Sequence, residues 1–140
     1  GQAKARAGRT DEATGGGRGE DFLQRFRQLV EGHFREHWPV GRYAQALGIS
    51  HDRLHGICRR ELGRGPKALV AERLAREAGL ALERSSLSVE QISDLLGFRD
   101  PAHFSHFFKR MTGIAPGRYR RLAAAGPADG LALASLADWP

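Results

Sequence analysis

Apolar positions recur every three to four residues in a series of short segments, each bounded by a glycine, a proline or a capping side chain. The first follows Asp21, a residue suited to an N-cap, and places Phe22, Leu23, Phe26, Leu29, Val30, His33 and Phe34 on one stripe. That spacing predicts an amphipathic helix ending near Trp38 and Pro39. A short helix is predicted from Val40 to Leu47, stopped by Gly48. Ser50 caps the next, over residues 51–62, with Leu54, Ile57, Cys58 and Leu62 inward and Gly63 as terminator. Pro66 sits in the first turn of a long helix to Arg84, with Ala71, Leu74, Ala75, Ala78 and Leu82 on one face.

The remaining segments follow the same grammar. Ser88 and Gln91 have capping-box spacing and open a helix to Leu96. Asp100 and Pro101 supply an N-cap and first residue for a helix over 101–112, ended by Gly113, and Pro116 opens a last one to about Leu122. No useful run alternates with period two. The fold class expected is all-α: a seven-helix domain of two helix-turn-helix units joined by a long central helix. Residues 1–20 lack apolar periodicity and are expected to form a flexible linker, and 123–140 a disordered tail.

An internal repeat stands behind the two units. Ala44 matches Ser93 and Gly48 matches Gly97 at an offset of 49; one residue is then added, and Leu54 matches Phe104, Cys58 matches Phe108, Gly63 matches Gly113 and Pro66 matches Pro116. The basic pair Arg59 and Arg60 falls on Lys109 and Arg110. Each copy meets the needs of a helix-turn-helix. A small residue lets two helices cross closely, glycine four positions on turns the chain, and Ile49 or Phe98 plugs the turn. One copy occurs in many helix pairs that bind nothing; two copies, each with a basic pair at the same place, point to DNA.

Charge agrees with this. Of 140 residues, 22 are Lys or Arg and 16 Asp or Glu, a net +6 that fits a polyanionic partner. Residues 21–122 carry +7, residues 1–20 carry +1 and the tail carries −2, so the charge sits on the predicted helices. Apolar residues are 41% of the chain, enough for a core, and no stretch approaches the ~20 apolar residues of a membrane span. No membrane partner is expected. One cysteine excludes an intrachain disulfide and fits a reducing cytoplasm. The start at Gly1, with no apolar signal segment after it, fits a piece of something longer.

The segment GFRDPAHFSHFFKRMTGIAPGRYRR, Gly97 to Arg121, closely resembles the signature of the AraC/XylS family of bacterial regulators. Ala44 to Gly63 and Arg73 to Leu82 resemble that family's first reading unit and connecting helix, and the likeness runs from about Phe22 to Leu122. It implies a sequence-specific regulator, typically an activator, whose two units read adjacent major grooves and whose partners are double-stranded DNA and RNA polymerase. It also implies an N-terminal sensor and dimerisation domain, absent from this sequence, ahead of the DNA-binding part. Ala115 departs from the capping Ser usual at that position.

Base readers are expected on the N-terminal turns of the two recognition helices: Asp52 and His55 on the first, His103, Ser105 and His106 on the second. The phosphate candidates are Arg42, Arg59, Arg60, Arg64, Lys67, Lys109, Arg110, Arg118 and Arg121, with helix N-termini at Val40 and Ser88 adding N–H donors. Some of these arginines are expected to pair with Glu61, Glu72 or Asp94, and Arg120 is open to either a structural or a DNA-facing role. Gly56 is an odd residue for a recognition helix. A helix from Pro66 to Arg84 is roughly 28 Å long, suited to holding two recognition helices about one duplex turn apart.

Catalysis and metal binding find little support. His51, His55 and Cys58 share spacing along one helix, but Cys58 aligns with core Phe108, and no His-Glu-x-x-His or Cys-x-x-Cys is present. No cofactor, no metal and no enzymatic activity are expected. Two other functions remain open: an architectural DNA-bending protein with little sequence preference, and a protein-interaction module using Leu131 to Trp139.

Overall fold

The computed structural model describes residues 15–126, and residues 1–14 and 127–140 lie outside it, with most of the expected linker and tail and the Leu131–Trp139 segment. Among the described residues there are seven α-helices and no strand: α1 Gly15–His33, α2 Val40–Leu47, α3 His51–Leu62, α4 Pro66–Arg84, α5 Val89–Leu95, α6 Pro101–Thr112 and α7 Pro116–Ala125. The all-α class expected from the periodicity holds. Two ends run further than expected: α1 starts six residues before Asp21, and α7 passes Leu122 to Ala125. Gly19 is buried, and a Cβ there would lie 3.2 Å from Glu61 Oε2, so this early turn has a tertiary neighbour invisible to local periodicity.

The described chain divides into two compact units. One holds the chain up to Gly32 together with Pro39–Pro66; the other holds His33–Trp38 and the chain from Lys67 onward. In the first, the predicted stripe supplies buried Phe22, Leu23, Phe26 and Val30, joined by Tyr43, Ala44, Leu47, Leu54, Ile57 and Cys58. Phe26 meets Tyr43 edge-on, centroids 5.5 Å apart. The turn between α2 and α3 is made by Gly48 at φ 73°, whose N–H bonds Gln45 O at 3.0 Å while Ile49 N–H reaches back to Ala44 O at 3.1 Å. Ser50 Oγ then accepts from Arg53 N–H at 3.0 Å and starts α3.

The second unit repeats this wiring. Gly97 at φ 81° bonds Asp94 O at 3.1 Å, and Phe98 N–H bonds Ser93 O at 3.0 Å. Asp100 Oδ1 accepts from His103 N–H at 2.7 Å, capping α6 as Ser50 caps α3. Ser88 and Gln91 form the predicted capping box at the head of α5, with bonds of 3.0 and 2.8 Å. Ala115 caps α7 with no side-chain hydrogen bond, leaving to Pro116 alone the local help in starting that helix. Phe104, Phe108, Ile92, Leu96 and Tyr119 are fully buried.

One segment departs from expectation. The first helix does not continue to Trp38; it ends at His33, and a 3-10 turn, Phe34–Glu36, leads to His37 in a left-handed conformation (φ 55°, ψ 44°). Glu36 holds both sides of this turn, accepting from His33 Nδ1 at 2.8 Å and from Trp38 Nε1 at 3.0 Å while the two rings stack 3.9 Å apart. His37 Nε2 donates to the Leu96 carbonyl at 2.8 Å, and its ring meets Phe98 edge-on at 4.8 Å. A left-handed non-glycine residue is costly, and these contacts hold it there. Phe34 lies between the guanidinium groups of Arg35 and Arg73, 4.4 and 4.5 Å from its centroid, and both arginines bond Glu77.

Candidate nucleic-acid interface

Each recognition helix buries one face and leaves the other open. On α3 the buried face is Leu54, Ile57 and Cys58, and burial pushes the Cys58 thiol up to about 11. The open face carries Asp52, His55, Gly56, Arg59 and Arg60, all exposed. Asp52 projects entirely into solvent and lies 3.9 Å from His51 Nδ1. The His55 ring lies against the loop after the helix: a Cβ on Gly65 would stand 3.3 Å from His55 Cε1. Arg60 Nε approaches Glu61 Oε2 at 3.6 Å, the pairing foreseen for one of these arginines.

On α6 the buried face is Phe104, Phe107 and Phe108. His103 and His106 are exposed and Ser105 is half-buried. The His103 ring leans edge-on against Phe98, 5.3 Å away, so the residue that plugs the turn also steadies a candidate reader. Lys109 and Arg110 are exposed beyond them, with the Arg110 guanidinium 5.6 Å from the Phe107 centroid. Both helices point the positive end of their dipole beside these side chains, while Ser50 and Asp100 already take the Arg53 and His103 N–H groups and Pro101 has none to offer.

The remaining cations divide by environment. Arg42 on α2, Lys67 at the head of α4, and Arg118 and Arg121 on α7 are exposed. Arg64 is half-buried and donates to the Leu62 carbonyl at 3.1 Å, closing the turn after α3. Arg120 has a structural role: Nε donates to Leu82 O at 3.0 Å and Nη2 to Ser85 O at 3.2 Å, satisfying carbonyls at the end of α4. Two further arginines are exposed. Arg53 occupies on α3 the place of His103 on α6, and the repeat register was the signal for it; its guanidinium lies 5.4 Å from the Phe22 centroid. Arg99 is the residue added to the second turn, and its side chain is 83% exposed.

Among the described residues no group of His, Cys, Asp or Glu is arranged to hold a metal, and no helix is long and apolar enough to cross a membrane. The helix-turn-helix domain family matches residues 43–122, more than half of the chain. The HTH-type transcriptional regulator GlxA of Rhizobium meliloti is 38% identical over 85 residues; the match takes in 59% of this chain and 26% of that regulator, so the chain spans about a quarter of the relative's length. A transcriptional regulator from Chromobacterium violaceum, described as of AraC-type DNA-binding domain-containing proteins, superposes with a TM-score of 0.69 at 25% identity, covering 77% of this chain and 96% of that one. The C-terminal domain of AraT, a response regulator from Geobacillus stearothermophilus, does so at 0.67 and 27%, covering 71% and 84%. Family and fold are those of transcription regulators, not of enzymes. With two copies of one turn and one cap, each opening a helix whose free face is rich in histidine and arginine, the chain belongs to the AraC/XylS family and carries its helix-turn-helix DNA-binding domain.

Proposed function

We propose that this chain is the operator-reading part of a bacterial transcription regulator working in the cytoplasm, and that one chain reads two adjacent major-groove sites. The observation that carries the proposal is the duplicated wiring: Gly48 with Ser50, and Gly97 with Asp100, make the same turn and cap within one chain. Each prepares a helix N-terminus with exposed polar side chains for a groove. Asp52 and His55 serve as base readers on α3, and His103, Ser105 and His106 on α6. Asp accepts from cytosine N4, and His donates to guanine or thymine acceptors. Arg42, Arg59, Arg60, Arg64, Lys67, Lys109, Arg110, Arg118 and Arg121 hold phosphates and fix the register.

In the full-length protein an N-terminal sensor and dimerisation domain governs this part, and the bound protein acts as an activator by contacting RNA polymerase. These assignments rest on family membership. An architectural role is the competing reading, favoured by the lack of arginine at the five base-reading positions.

Selection of bound sequences from random duplexes, followed by footprinting at fixed salt, tests the proposal. A conserved two-part site with protection over two successive major grooves is expected. His55→Ala and His106→Ala should each relax preference at different positions of that site, at a cost of about 1–3 kcal/mol, nearly additively. Equal loss on specific and unrelated DNA would favour the architectural reading, and a footprint over one groove would defeat the two-site claim.

A further inference from the structure

The open face of α3 has a gap at its centre. Gly56 is exposed in the middle of the helix, and the register of the repeat places His106 at the same point of α6. Nothing in the protein asks for glycine there. An ideal Cβ on Gly56 would meet no atom within 4 Å, and its φ is not among the positive values that glycines 48, 63, 97, 113 and 126 supply. Glycine is nonetheless the poorest helix former apart from proline, and any residue but proline would strengthen this helix.

The C-terminal side of the gap is basic and suits a polyanion, and its N-terminal side carries a carboxylate that can accept from a base edge. Asp52 lies one turn before Gly56 on the same stripe, and Arg59 and Arg60 lie one turn after it, all exposed. The neighbouring His55 ring lies against Gly65 beyond the end of the helix. A strip of bare backbone is thus framed by groups suited to phosphates and base edges. Glycine is the residue that lets a backbone approach a ligand closely.

We infer that Gly56 is a positioning residue for duplex DNA, seating α3 with its backbone directly against the groove where α6 interposes the side chain of His106. The seating brings Asp52 and His55 to base edges that short side chains reach only from a shallow standoff. The two helices then read by different means, α3 by contact of its backbone surface and α6 through side chains. The inference rests on the proposed reading of α3 as a recognition helix.

The test is Gly56→Ala and Gly56→His in the whole chain, with thermal unfolding measured beside affinity for the selected duplex and for unrelated DNA at one salt concentration. Gly56→Ala should raise the unfolding midpoint while weakening specific binding at least tenfold, and Gly56→His should weaken it further. Affinity for unrelated DNA should change less than threefold. A structural role moves stability and binding together, so the opposed signs are the signature. Specific binding by Gly56→Ala equal to or tighter than that of the unsubstituted chain overturns the inference, as does a lowered unfolding midpoint. Failure of the unsubstituted chain to prefer any selected duplex is a different result, for it removes the parent reading.

Discussion

The Tyr119 hydroxyl donates to Glu83 Oε2 across 2.9 Å, tying α7 to the last turn of α4. Burial, with the Glu83 carboxylate beside it, holds this phenol well above its ordinary range. Cys58, in the other unit, is likewise raised by burial, from 9.0 to about 11. Both groups are neutral when protonated, so the folded chain keeps these protons to higher pH than the unfolded chain does. The unfolded state then binds fewer protons, and stability falls as pH rises above about 9 for Cys58 and about 10 for Tyr119. Urea unfolding at a series of pH values should show Cys58→Ala losing stability less steeply between pH 9 and 10.5, by up to about 1.4 kcal/mol per pH unit. Tyr119→Phe should do the same above pH 10. Curves parallel to that of the unsubstituted chain would contradict the assignment.

The two turn glycines are equivalent in sequence and unequal in surroundings. A Cβ on Gly48 would meet nothing within 4 Å, whereas one on Gly97 would overlap the Arg35 carbonyl oxygen and stand 3.1 Å from His37 Cδ2. Gly48→Ala should therefore cost only the left-handed backbone penalty, about 1–2 kcal/mol. Gly97→Ala should cost clearly more, because Arg35 backbone must move as well. Denaturant midpoints of the two variants decide this, and equal losses would refute it.

Ser93 is 1% exposed, and its Oγ is buried with no hydrogen-bond partner. The first unit has Ala44 in its place. Ser93→Ala should raise stability by about 1 kcal/mol, since it deletes an unmet hydroxyl and improves helix propensity. Ala44→Ser should lower it. Loss of stability in Ser93→Ala would mean that the hydroxyl has a water or backbone partner.

Arg59 and Lys109 occupy matching exposed places, whereas Arg120 is spent on the carbonyls of Leu82 and Ser85. Arg59→Ala and Lys109→Ala should each lower the slope of log affinity against log salt by about 0.9. Arg120→Ala should leave that slope unchanged and depress the unfolding midpoint instead. An unchanged slope in the first two would place those side chains away from phosphate.

What was legible in the sequence was what is wired locally. Gly48, Gly63 and Gly113, the Ser50 and Asp100 caps, and the Ser88–Gln91 box bond within a few residues, so spacing alone reveals them. The 3-10 turn at Phe34 was hidden, because the left-handed His37 is held by Leu96 and Phe98, some sixty residues later. Exposure of Asp52, His55, His103 and His106 followed from the register, whereas Ser105 is half-buried. That His55 lies against Gly65 and His103 against Phe98 did not, since side-chain direction is set by packing rather than by period.

His33 to Trp38 is written between two stretches of the first unit yet belongs to the second. The two helix-turn-helix units are therefore not separable cassettes. A fragment starting at Lys67 would keep the whole of α5 and α6 but lose the ring that satisfies the Leu96 carbonyl and the Phe34 side chain that Arg35 and Arg73 enclose. Exchange of C-terminal halves between related genes, with a crossover in the long helix, would pair each second helix-turn-helix unit with a foreign brace. Heredity of DNA preference in such chimaeras should follow residues 33–38 as well as the recognition helix, although none of those six is a candidate reader.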